Sequence, residues 1–353
     1  MSFWWNNSLP YKLLDAEHLA SRPAAASEWY HSAVVRWAVE AVAAAAPAGA
    51  AGLAEELRCP RGPLPGIHPA SNLRHAEGAA FLTYVSARRL DYLDGAVLLG
   101  LSLRKHAPGV RTMALIEELE SPPTGYVEGV LRKAGWELLV SVPKMSPPNA
   151  PPGSSNDGLH AKALMFNPDV IPFRRFVYLD SDAWVRSPRI MELLDPALVS
   201  PERPIMMTED LNAPGMFSTG VMVAQPDKEF FNKLFPIVMA GHDNDQPAVN
   251  EAYRGRIAPL DPAFNVHAGM FERGRLAPED AIVVHFTGQT PFKPMHADAD
   301  HLREVRRGRG SDPVYGLRGG GCLFAEYFAW MAGEERLRHV SYELQTTIAE
   351  ALL

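Results

Sequence analysis

Between residues 78 and 295 the chain alternates short apolar runs with longer stretches whose apolar positions recur at helical spacing. Ala80-Phe81-Leu82-Thr83-Tyr84-Val85 has the length and composition of a strand buried on both faces. From Tyr92 to His106 the leucines at 98, 99, 101 and 103 predict a helix. Thr112 to Ile116 reads as a second strand, Gly125 to Ala134 as a helix ended by Gly135, and Leu138 to Val142 as a third strand. The order β-α-β-α-β predicts a mostly parallel sheet covered by helices. Sheets of this kind bind ligands beyond the carboxyl ends of their strands, which is where chemistry should be sought.

The flanks read differently. Residues 1–75 are alanine-rich and helical in pattern, with an apolar stripe of Trp29, Tyr30, Val34, Val35, Ala38 and Val39. The prolines of CPRGPLPGIHPASN (Cys59 to Asn72) break that pattern and predict a linker. VPKMSPPNAPPGSSNDG, Val142 to Gly158, is a loop of the length associated with lids and binding loops. Residues 299–353 pass through Gly319-Gly320-Gly321 into an amphipathic helical stretch, Leu323 to Leu352. Three units follow: an N-terminal helical extension with its linker (1–75), an α/β domain (76–298), and a C-terminal helical extension packed on it (299–353).

Composition narrows the function classes. Hydrophobic residues make up 47% and charged residues 21% of 353, an ordinary globular balance. The net charge of −7 gives no general attraction to nucleic acid or to an anionic membrane. Cys59 and Cys322 form neither a disulfide framework nor a zinc spacing. The N-terminus lacks the basic start and apolar run of a signal peptide. Ala38 to Leu57 is mostly alanine, interrupted by Glu40, Pro47 and Glu55, and falls short of a membrane span. A cytoplasmic location is expected, with an anchor lying outside this sequence, and hence the Golgi, left open.

The chemistry concentrates in FVYLDSDAWV, Phe176 to Val185. An apolar strand runs directly into Asp180, Ser181 and Asp182. If the backbone stays extended, residues two apart share a face, and the two carboxylates point together. Carboxylates held together repel unless a cation lies between them. Alone, an Asp-x-Asp after a strand is more often a turn than a site. AIVVHFTG, Ala281 to Gly288, adds a second apolar strand ending in His285. Two carboxylates with an imidazole favour manganese over magnesium, because imidazole suits transition metals. Gly288 would let a phosphate approach the backbone, and Lys293 could neutralise it, unless it is an ordinary surface lysine. Lys162, in the helical pattern LHAKALMF, either reaches a donor phosphate or sugar or is a surface cation. Ser218-Thr219-Gly220 opens the strand FSTGVMVAQ with small groups able to meet a sugar hydroxyl. Asp243, Asp245 and Gln246 stand at the start of a helix, where acidic residues are favoured on electrostatic grounds alone.

Taken in order, AFLTYVSARRLDYLDGAVLLGLSLRKH, LHAKALMF, YLDSDAWV, FSTGVMV, DQPAVN and VVHFTGQTPFKP resemble the family-8 glycosyltransferases, the group containing glycogenin, galactinol synthase and the lipopolysaccharide galactosyltransferases. The resemblance spans roughly residues 78–295. It implies a GT-A fold, a UDP-sugar donor (glucose, galactose or N-acetylglucosamine), Mn2+ or Mg2+, a hydroxyl acceptor, and retention at the anomeric carbon. It assigns Asp180, Asp182 and His285 to the metal, with Ser181 between the first two. Thr83, Tyr84 and Val85 fall at the end of the first strand, beside the uracil, and Tyr92 on an aromatic near the base. Lys162 matches a donor contact, and Ser218 and Thr219 match the small pair facing the sugar. Asp245 and Gln246 lie beside the transferred sugar, and Gly288 and Lys293 at the phosphates. Three features depart from the family. Lys293 comes two residues later than in HFxGxxKPW, with Met295 in place of the tryptophan; Ser218 replaces the usual asparagine; and the segment after Thr83, YVSARRLDY, which leads to Tyr92, is longer than in glycogenin. The late lysine motivates one alternative, a nucleotide-sugar-binding protein without activity. Another metal-dependent nucleotidyltransferase is a second. A dinucleotide dehydrogenase is disfavoured, since no strand leads into G-x-G-x-x-G.

Overall fold

The computed structural model describes residues 78–286, apart from 87–89, 119–123, 146–158, 211–212, 241–244, 268–275 and 277–279. The terminal segments expected to be helical (1–75 and 299–353), most of the segment 142–158 expected to be a loop, Asp243, Gly288 and Lys293 lie outside the described residues. In chain order the elements are β1 (Ala79–Val85), α1 (Leu90–His106), β2 (Thr112–Glu117), α2 (Thr124–Ala134), β3 (Leu138–Val142), a 3-10 helix (Leu159–Phe166), β4 (Arg175–Leu179) and β5 (Ala183–Val185). After 3-10 turns at Pro188–Leu194 and Pro196–Leu198 come β6 (Ile205–Glu209), β7 (Phe217–Ala224), α3 (Lys228–Met239), α4 (Asp245–Ala252), β8 (Ile257–Pro259), a 3-10 turn (Pro262–Phe264) and β9 (Val283–His285).

Seven strands form one mixed sheet in the order β3-β2-β1-β4-β7-β6-β8. The expected β-α-β-α-β unit makes its parallel half: β1 lies between β2 and β4, and β3 pairs with β2. Strand β7 runs antiparallel to both β4 and β6, while β8 returns parallel to β6. The sheet is therefore mostly parallel but mixed, flanked by helices, as the sequence implied.

Burial on both faces explains the unbroken apolar runs. Phe81 and Val85 of β1 and Val177 and Leu179 of β4 face a core under α1 and α2. Leu82, Tyr84, Phe176 and Tyr178 face the opposite core, under the 3-10 helix Leu159–Phe166, α3 and α4. On the first side, Gly100 lets helix α1 accept the indole of Trp136, whose Nε1 donates to the Ala96 carbonyl at 2.9 Å. A Cβ at Gly100 would stand 2.6 Å from that nitrogen. On the second side, Phe230 stacks on Tyr253 with ring centroids 3.4 Å apart.

Strands β5 and β9 do not join the main sheet. They pair antiparallel as a two-stranded sheet in which Ala183 stands opposite His285. That register sets the His285 backbone beside the residue that follows Asp182.

Candidate metal and nucleotide-sugar site

The Asp-Ser-Asp segment is not extended. Strand β4 stops at Leu179, and the Ala183 amide donates to the Asp180 carbonyl at 2.9 Å, closing a four-residue turn. The carboxylates converge across this turn rather than by strand alternation, so the extended-backbone expectation is corrected while its consequence stands. Two neighbours hold the turn. The Asp180 amide donates to Gly220 of β7 at 2.8 Å, and the Phe286 amide donates to the Asp182 carbonyl at 3.0 Å.

One ligand atom from each of Asp180, Asp182 and His285 lies within 4.8 Å of the others. His285 Nε2 is 3.3 Å from Asp182 Oδ1 and 3.6 Å from Asp180 Oδ2. The Asp182 side chain is 7% exposed and that of Asp180 26%, so the cluster opens on one side only. Two carboxylates and an imidazole nitrogen closing on a common point form a donor set that a divalent cation would satisfy.

The two oxygens of Asp180 have separate tasks. Oδ1 accepts from the Tyr178 hydroxyl at 2.7 Å and pairs with Lys162 Nζ at 2.9 Å. Oδ2 is left toward His285 and the metal point. Burial raises the pKa of Tyr178 and the neighbouring Asp180 adds to the rise, so the phenol remains a hydrogen-bond donor.

Lys162 is not the surface cation that one reading of LHAKALMF allowed. The segment is a 3-10 helix on the second face of the sheet, and its lysine side chain is 5% exposed. Nζ lies between Asp180 Oδ1 at 2.9 Å and Asp245 Oδ2 at 3.1 Å, above the Tyr178 ring at 5.1 Å. Burial alone would lower its pKa, but the Asp180 and Asp245 carboxylates outweigh that and hold it above the ordinary lysine value. The metal turn and the N-terminus of α4 are thereby tied through one buried cation.

Helix α4 is fixed against β7 by Asn250. Its Oδ1 accepts from the Phe217 amide at 2.7 Å, and its Nδ2 donates to the Phe217 carbonyl at 2.8 Å. One turn earlier, Gln246 Oε1 accepts from the Thr219 amide at 3.4 Å and Nε2 donates to Asp210 Oδ2 at 2.7 Å. Asp245, Gln246, Ser218 and Thr219 thus meet where α4 crosses the start of β7. Ser218 is buried, and its hydroxyl accepts from the Gly220 amide at 3.3 Å and from Asn265 Nδ2 at 3.1 Å.

At the other border, Thr83 is fully buried and donates to the Leu179 carbonyl at 2.8 Å, linking the ends of β1 and β4. The Tyr84 hydroxyl donates to Glu117 Oε2 at 3.3 Å, and Val85 is buried opposite Ile116. Tyr92 lies half-buried in the first turns of α1. Ser181 is buried within the turn.

Tyr178, Asp210 and Asn265 also contribute, and Gly220, expected only as a small group able to meet a sugar hydroxyl, contributes in a different way. Tyr178 could have been found as the residue two before Asp180 on the same strand face. Asp210 carried the signal of an acid just past a strand. Gly220 reveals its reason only in three dimensions, since a Cβ there would stand 2.1 Å from His285 Cε1 and 2.3 Å from Nδ1. Asn265 had no local signal.

The Asp-Asp-His cluster at the carboxyl end of β4 is a donor set that could hold a divalent cation. Residues 160–299 match the sequence model of Glycosyl transferase family 8. The chain therefore resembles the family-8 glycosyltransferases across the segment that carries Lys162, both aspartates, β7, α4 and His285. No curated protein sequence matches it significantly. Similar solved structures include the glycosyltransferase GlyE of Streptococcus pneumoniae TIGR4, at 18% identity and TM-score 0.47, covering 72% of this chain and 65% of that one. The chain thus spans just under two thirds of GlyE. The galactosyltransferase LgtC, solved with donor and acceptor sugar analogues, aligns at 17% identity and TM-score 0.47, covering 74% of this chain and 99% of that one. Mouse xyloside xylosyltransferase 1 aligns at 11% identity and TM-score 0.42, covering 60% of this chain and 99% of that one. Among the described residues, no helix is long and apolar enough to cross a membrane.

Proposed function

We propose that this chain is a retaining hexosyltransferase that moves a sugar from a UDP-sugar to a hydroxyl acceptor with Mn2+ bound. The observation that carries the reading is the convergence of Asp180, Asp182 and His285, inside the segment that matches family 8. Asp180 Oδ2, Asp182 and His285 Nε2 would hold the ion. A bound divalent cation would neutralise the charge that grows on the diphosphate as it leaves. Lys162 sets the direction of Asp180 and Asp245, acting from beneath the site. Its two ion pairs favour this holding role over direct contact with the donor. Asp245 is buried against that lysine, whereas Gln246 is half-buried and aimed by Asp210 and Thr219. The contrast favours Gln246 as the group beside the reacting face and same-face attack over a covalent step through Asp245. Thr83, Tyr84, Val85 and Tyr92 are the groups proposed at the base, Ser181, Ser218 and Thr219 beside the donor, and Gly288 and Lys293 at the phosphates.

A donor screen tests the proposal. Incubated with Mn2+ and a panel of UDP-sugars, the protein should release free UDP from one of them, slowly without an acceptor, and EDTA should stop the release. Pyrophosphate as the product would mark a nucleotidyltransferase. Binding of UDP with no release from any donor would favour the inactive binding protein.

A further inference from the structure

Asn265 lies outside every motif read from the sequence and is fully buried behind the metal cluster. It ends the 3-10 turn Pro262–Phe264, with φ −150° and ψ 65°. Its amide nitrogen donates to Thr208 Oγ1 at 2.8 Å and to Ser218 Oγ at 3.1 Å. Its amide oxygen is 2.9 Å from His285 Nδ1. With both N–H groups directed at hydroxyls, the oxygen faces the ring, and Nδ1 must donate to it. A neutral imidazole protonated on Nδ1 carries its lone pair on Nε2. That is the atom 3.3 Å from Asp182 Oδ1 and 3.6 Å from Asp180 Oδ2.

We propose that Asn265 is a positioning residue that holds His285 in the Nδ1–H tautomer and aims its Nε2 lone pair at the divalent cation. A lone pair directed at two carboxylates is unfavourable until a cation lies between them, so an amide that enforces this arrangement prepares the ring for metal. The opposite tautomer would instead place an N–H against the carboxylates and satisfy them with no ion. The His285 amide adds a second restraint by donating to the Val266 carbonyl at 2.8 Å, next to Asn265 in the chain. The same side chain reaches β7 through Ser218, whose hydroxyl also accepts from Gly220, the residue whose missing Cβ makes room for the ring. One buried amide therefore sets the tautomer of a metal ligand and anchors the strand that the ligand packs against. The proposal rests on the metal reading of the cluster.

The experiment uses the full chain in two measurements. In metal-free protein labelled with 15N-histidine, long-range proton–nitrogen spectra report the tautomer. The His285 signal is identified by its loss in His285→Gln. The Nδ1–H form is expected, and the Nε2–H form overturns the proposal. Mn2+ affinity is then read from the electron paramagnetic resonance of free Mn2+. Asn265→Ala should weaken binding by ~10–100-fold, the usual cost of losing a partner behind a metal-ligating histidine. Asn265→Asp, which keeps an oxygen opposite Nδ1, should stay close to the unsubstituted affinity. Wild-type affinity in the alanine variant, or equal weakening in a folded aspartate variant, would overturn the assignment. Should the alanine variant not fold, the aspartate variant and the tautomer decide. Absence of Mn2+ binding by the unsubstituted protein would defeat the metal reading, while the tautomer would still report on Asn265 separately.

Discussion

Gly220→Ala is expected to abolish tight divalent-metal binding, although it adds a single methyl group to a buried strand. The new Cβ would stand 2.1 Å from His285 Cε1, far inside contact distance. The ring cannot slide away cheaply. Its Nδ1 is held by Asn265 at 2.9 Å and its backbone amide by Val266 at 2.8 Å. Strand β7 cannot retreat either, because the Gly220 carbonyl accepts from the Asp180 amide in the metal turn at 2.8 Å. The clash must displace the ligand, the turn, or both. Overpacking of this kind costs about 1–3 kcal/mol of stability. The loss of metal affinity should exceed the ~10–100-fold that follows from removing an outer partner alone. Thermal unfolding and an Mn2+ titration check the two parts. Adding His285→Ala to the glycine variant should return much of the lost stability and none of the metal binding. Additive losses would show that the strain lies elsewhere.

Lys162→Met should be the most destabilising single change at this site. It removes the only cation within salt-bridge distance of Asp180 Oδ1 and Asp245 Oδ2 among the described residues. Breaking a buried charge network by deleting one partner costs about 3–5 kcal/mol. The lysine's raised pKa gives the sign of the pH effect in the unsubstituted protein. Its contribution is complete below the ordinary lysine value and is lost only as the pH rises through the still higher folded value, in strongly alkaline solution. At neutral pH the contribution is fully present, so there the methionine variant shows its full deficit. Asp245→Asn in the same background should narrow the gap between the two proteins, since it removes one of the two carboxylates left without their cation. Denaturant unfolding of the single and double variants supplies the measurement. A deficit indifferent to this change would mean that Lys162 stabilises through its stem packing rather than through its charge.

Much of the scaffold was legible because burial leaves a simple mark. Strands β1, β2 and β4 lie inside the sheet and are written as apolar runs, β3 at one edge is nearly as apolar, α1 carries leucines at helical spacing, and α2 carries Val127, Val130 and Leu131. Strands β6 and β8 lie toward the other edge of the sheet; the apolar run of β6, IMMTE, stops after three residues and β8 is only three residues long, so no comparable run announces either. Strand β9 was found, but its place was not. Nothing local shows that Val283–His285 leaves the main sheet to pair with Ala183–Val185, because that pairing depends on partners about a hundred residues apart. The metal ligands were legible as residue types after apolar strands. Their convergence across a turn was not, since a turn and an extended segment can share the same Asp-Ser-Asp. Lys162 shows the limit most clearly. A lysine in a helical pattern reads as surface, and only the positions of two carboxylates from distant segments account for its burial. Asn265 and Gly220 act on His285 through space alone, and no pattern in the chain marks that role for either.

Asp180, Asp182 and His285 are expected to bind a divalent cation that in turn binds the diphosphate of a UDP-sugar. Titration calorimetry of UDP into the protein tests it most directly, with Mn2+, with EDTA, and with Mn2+ in the Asp182→Asn variant. UDP binding that requires Mn2+ and disappears in EDTA and in the variant, with the fold unchanged by circular dichroism, is the predicted result. UDP binding of equal strength in all three conditions would contradict the account.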